Sequence, residues 1–130
     1  MTQTAAGTFE VTLTPLDIDG EMMGRRGIDK RFHGALEAVS TGQMLSAGTT
    51  TKGSAVYVAI ERVRGQLDGR AGTFVLHHAG VMTRGVPHPT LLVAPDSGTE
   101  ALVGLTGSMT IAIDEGRHHY VLTYELPARD

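Results

Sequence analysis

Hydrophobic and polar residues alternate along short runs of this chain, and turn-forming residues interrupt the runs roughly every 8–15 positions. Such alternation places successive side chains on opposite faces of an extended strand. Eight runs of this kind are read, at about Thr8–Thr14, Ile28–Val39, Gln43–Thr49, Ser54–Leu67, Arg70–Met82, Pro89–Ala94, Gly107–Ile113 and His118–Leu126. No segment keeps helical spacing long enough for an amphipathic helix. The pattern predicts one all-β domain over residues 1–130, a sandwich or a barrel, with minimal helix. A single short helical turn is expected in "PDSGTEALVG", where Ser97 and Glu100 have capping-box spacing and Gly104 is a stop.

Two hairpins settle which side chains share a face. Asp68-Gly69 suits a two-residue type I′ turn. Such a turn pairs Gly65 with Gly72 and Ala59 with His78, so Tyr57, Ala59, Glu61, Val63, Phe74, Leu76 and His78 lie together. His77 falls on the other face with Val56, Val58, Ile60, Arg62 and Val75. The last hairpin turns at "DEGR", setting Ile113 against His118, Ile111 against Tyr120 and Met109 against Leu122. Tyr124 joins that face, while Val121, Thr123 and Glu125 look to water.

Composition narrows the function classes. A net charge of −3 gives no overall basic character for nucleic acid or an anionic membrane. The absence of cysteine excludes disulfides and thiolate zinc sites. The start "MTQTAAGTFE" has neither the basic nor the apolar region of a secretory signal, and no apolar run approaches the ~18 residues of a membrane span. A cytoplasmic protein with no nucleic-acid or membrane partner is the expectation.

The doubled histidines, His77-His78 and His118-His119, invite a metal reading. Neighbours on a strand diverge, so neither pair can ligate one ion, and no metal and no cofactor are expected. Asp17 and Asp19 before Gly20 resemble a calcium loop, but the spacing of the later ligands fails and a solvated loop is the reading. Glu61 and His78 are diagonal neighbours on the inner face. They are the candidate catalytic pair, an acid and a base in apolar surroundings. Alternatively they are a satisfied polar pair that fixes strand register. Tyr57, Tyr120 and Tyr124 are candidates for holding a ligand oxygen, and Phe32, Met44, Phe74, Leu76 and Met109 for lining the interior. No cysteine and no G-x-S-x-G elbow supplies a nucleophile.

The stretches "YVAIERVRGQLDGRAGTFVLHHAG", "VAPDSGTEALVGLTG" and "YVLTYEL" closely resemble the bacterial family called domain of unknown function 3224. The likeness runs from Gly7 to Leu126 and is weakest from Leu16 to Arg26. Glu61, Arg62, Gly65, Leu67, Gly69, Arg70, Gly72, Phe74, His78 and Gly80 fall on the family pattern. Thr73, His77 and Glu100 depart from it, where Ser, Gln and Gly are usual. That family is similar in fold to allene oxide cyclase and to plant dirigent proteins. The resemblance implies an eight-stranded antiparallel closed barrel with an apolar cavity, calycin-like in outline. It implies no activity, because fold alone does not give function.

Three functions are consistent with these residues. One is a small barrel that binds an apolar or amphipathic molecule in its cavity. Another is an isomerase or cyclase of the allene oxide cyclase type, using Glu61 and His78. The third is a structural or interaction protein whose barrel is filled, by Phe32, Met44, Phe74 and Tyr120. For assembly, the outward apolar row of Val56, Val58, Ile60, Val75, Ala79 and Val81 predicts a homodimer through the fourth and fifth strands, with a trimer as the alternative.

Overall fold

The structure, a computed structural model, describes residues 2–17, 20 and 22–127. The chain forms a closed antiparallel barrel in which each strand pairs with its sequence neighbours and the last returns to the first. The strands are β1 (Gln3–Leu16), β2 (Met23–Gly34), β3 (Leu36–Gly48), β4 (Ala55–Leu67), β5 (Arg70–Thr83), β6 (Val86–Val93), β7 (Thr106–Asp114) and β8 (Arg117–Glu125). Closure leaves no edge strand among the described residues to pair with another chain. The seam between β6 and β7 is the thinnest, with only Leu91↔Met109 and Leu92↔Ser108 in register.

The hairpin registers are those the turn chemistry predicts. Asp68 and Gly69 both have positive φ, as a type I′ turn requires, and Gly65 faces Gly72. Glu115 and Gly116 do the same for the last hairpin, with Ile113 opposite His118.

The early strands differ from the expected boundaries. The expected run Ile28–Val39 is split by a tight turn at Gly34 and Ala35, where Gly34 has φ 110°. The Ser40-Thr41-Gly42 break is instead the middle of β3. Gly42 is there for a close approach, not a turn. A Cβ at Gly42 would lie 2.0 Å from the Ile60 carbonyl oxygen across the strand pair. The helical turn in the β6–β7 connection exists as one 3-10 turn, Glu100–Leu102, but without a capping box. Thr99 occupies the cap position and makes no side-chain cap bond, while the Ser97 hydroxyl accepts the Val75 N–H.

The two ends of the barrel are unlike. One holds the Gly34–Ala35 and Asp68–Gly69 turns and the long β6–β7 connection, which docks on β5 through Thr99 N–H to Thr73 O and Ala94 N–H to Val75 O. Leu102 and Leu105 of that connection, with Leu36 and Leu67, plug this end completely. The core continues inward through Phe32, Val63, Phe74, Leu76, Tyr120 and Leu122. At the other end the inward side chains are only half-buried, among them Val11, Met44, Tyr57, His78, Ile111 and His118.

Candidate functional site

Glu61 and His78 both face the interior and His77 faces out, as the register requires. They do not bond to each other. The Glu61 carboxylate is fully buried, accepting from Lys30 Nζ at 2.9 Å and from Ser40 Oγ at 2.8 Å. The Lys30 ammonium sits 4.9 Å from the centre of the Phe9 ring and 5.9 Å from that of Phe32. Register builds this group: β2 alternates Ile28, Lys30 and Phe32 inward, and β3 brings Ser40 beside them. The arrangement neutralises a buried charge that an isolated carboxylate there would leave unpaired.

His78 turns toward the half-open end. Its Nε2 lies 2.7 Å from the Tyr57 hydroxyl, and the two rings meet edge-on at 5.0 Å. The Tyr57 ring lies over Gly80, where any Cβ would be 2.1 Å from a ring carbon. Burial, then the nearby Lys30 charge, lowers the His78 pKa to about 4, and Glu61 opposes this in part. The imidazole is therefore neutral at pH 7. With the ring proton on Nδ1, the phenol donates and Nε2 accepts.

The depressed value has a consequence for stability. An unfolded histidine takes its proton near pH 6.5, whereas folded His78 waits until about 4. The unfolded state thus binds more protons across that window, and stability falls as pH drops from 6.5 toward 4. Solvent screening of this half-buried ring limits the loss to about 1–2 kcal/mol. Thermal melts across this range are expected to show a shallower decline for His78→Gln than for the unmodified chain.

The other predicted lining residues divide in two. Met44 and Tyr57 sit toward the half-open end, whereas Met109 lies in the buried core beside Leu91 and Leu122. Phe32, Phe74, Leu76, Tyr120 and Tyr124 are sealed in the core. Two of the tyrosines spend their hydroxyls on closure. Tyr120 Oη accepts the Leu36 N–H at 3.0 Å and lies 2.9 Å from the His33 carbonyl, clasping the Gly34 turn. Tyr124 donates to the Asp68 carboxylate at the β4–β5 turn, and burial followed by that bond raises its pKa to about 12.

Lys30 and Ser40 were not among the sequence candidates. The available signal was Ile28 and Phe32 flanking Lys30 at a spacing of two, which puts a lysine on an apolar face. The expected run Ile28–Val39 joins β2 to the start of β3 and hides the hairpin pairing that supplies its partner. Asp19 of the calcium-like loop lies outside the described residues. Among the described residues no three histidine or acidic side chains gather as a metal site would need.

Residues 5–124 match the model of the family described as protein of unknown function (DUF3224). No curated protein matches the chain. A crystal structure of a DUF3224 protein of unknown function from Shewanella oneidensis MR-1 is similar throughout. It is 45% identical, with a TM-score of 0.94, and the match covers 99% of this chain and 100% of that one. The buried Glu61, the His78 end and the closed barrel are thus features of a chain that belongs to the DUF3224 family.

Proposed function

We propose that the barrel binds a small amphipathic molecule at its half-open end, with the Tyr57–His78 pair taking a polar group of the ligand. The observation that carries this is the contrast among the tyrosines. Tyr120 and Tyr124 are consumed by closure, whereas Tyr57 and His78 form a half-buried hydrogen-bonded pair that closes nothing. A neutral imidazole with an Nδ1 proton donates, and the phenol oxygen accepts. Buried Leu91, opposite His78 on β6, supplies apolar surface beside the pair. The sealed half of the barrel leaves a deep apolar cavity out of this reading. Glu61, fully buried and already paired, has the structural task of compensating Lys30.

The test is a titration with decanol and decanoate, followed by NMR of labelled protein. Saturable shifts are expected at His78, Tyr57 and Met44, with binding weakened about fivefold in Tyr57→Phe, the worth of one net hydrogen bond. Absence of saturable shifts at these residues, or shifts confined to the outer wall, overturns the reading.

A further inference from the structure

The outer wall carries a second feature. On β3–β6 the outward residues form rows across the strands: Ala47, Val56, Val81 and His88; then Leu45, Val58, Ala79 and Thr90; then Gln43, Ile60, His77 and Leu92. Water normally meets this face of a barrel, yet its centre is apolar. Ile60 is 60% exposed, and Val56, Val58 and Val81 are each 49% exposed. A groove of about 1040 Å³ runs over Leu45, Val58 and Ile60, walled on one side by Arg25 and Asp17. Arg25 is held there by the Asp17 carbonyl at 3.0 Å and by Gln43.

We infer that this face is covered by a second copy of the chain, giving a two-fold dimer packed through β3–β6. Three physical arguments select that occupant. The barrel is closed, so self-association by strand addition is unavailable and must proceed face to face. The size is sufficient. The three rows across four strands, with Thr41–Arg62–Val75 and Val39–Arg64–Thr73 across β3–β5, cover on the order of 600 Å² in plan at about 4.8 Å between strands and about 6.8 Å between rows. The accessible area of such a corrugated face exceeds its plan and approaches the ~800 Å² per partner of a stable interface. The layout also suits a two-fold axis. An axis through the Leu45–Val58–Ala79–Thr90 row sets the three apolar rows against one another and carries Arg62 and Arg64 of the two copies to opposite ends, beyond the apolar contact. Among the described residues, no carboxylate lies within ion-pair distance of Arg25, Arg62 or Arg64. Association therefore rests on burial of apolar surface, with the arginines of the two copies held apart, so added salt does not weaken it.

The inference is independent of ligand binding at the barrel end and is tested without it. Sedimentation of the unmodified chain at micromolar concentration is expected to give a dimer that persists in added salt. Val58→Glu and Ile60→Glu are expected to give folded monomers, while Thr123→Glu on the opposite wall leaves the dimer intact. Because the chain has no cysteine, Ala79→Cys is expected to cross-link under mild oxidation and Thr123→Cys is not. This second readout serves if the glutamate variants fail to fold. A monomeric unmodified chain overturns the inference. So does a dimer untouched by both glutamate variants, or one whose Ala79→Cys form stays uncross-linked. Loss of the dimer in added salt also overturns the apolar contact.

Discussion

Replacing Glu61 with leucine is expected to destabilise the barrel by about 3–5 kcal/mol, while the double variant Lys30→Met/Glu61→Leu recovers most of the loss. The asymmetry follows from burial. The Lys30 side chain is 7% exposed and the Glu61 side chain 0%. Removing only the carboxylate leaves an ammonium between Phe9 and Phe32 with no counter-charge, and leaves Ser40 without its acceptor. Removing both charges deletes the desolvation cost together with the attraction that offset it. Equilibrium unfolding in urea measures all three proteins. A loss below about 1 kcal/mol for Glu61→Leu would show that the pair is solvated and that its wall is not dry.

The later half of this architecture was legible in the sequence because its turns are chemically explicit. Asp68-Gly69 and Glu115-Gly116 permit only a narrow choice of turn, and a fixed turn fixes every pairing beyond it. From that followed the inward Glu61 and His78 and the outward His77. The first half lacked such punctuation. Gly34 and Gly42 are both glycines near polar residues, and their letters do not tell a turn from a close strand crossing. Only the opposing strand decides, through the Ile60 carbonyl beside Gly42 and the Tyr120 hydroxyl under the Gly34 turn. Without that turn the pattern offers Glu61 only His78 on its own hairpin, and not Lys30 and Ser40. Tyr120 illustrates the same limit. Its inward face was readable, but its hydroxyl bonds backbone 84 residues away, and local pattern carries no such information.

The division of the barrel into a sealed half and a half-open end leads to the remaining large effect. Phe32→Ala is expected to cost about 3–5 kcal/mol and to create a cavity that binds benzene. Phe32 is fully buried. Its ring packs against Phe9 at 5.5 Å and meets the edge of Tyr120 at 5.5 Å. Ala38 stands opposite on β3 and has no side chain long enough to fill the space. The barrel wall is held by continuous strand pairing, so it cannot collapse inward to heal the void. Denaturant titration of the variant measures the loss, and a melt with added benzene measures the refilling. Benzene is expected to raise the melting temperature of Phe32→Ala and to leave that of the unmodified chain unchanged. A residue lining an open ligand pocket would behave differently. Its truncation would cost about 1 kcal/mol or less, because water already reached it, and benzene would stabilise both proteins alike. The comparison thus tests directly whether this part of the interior is packed core.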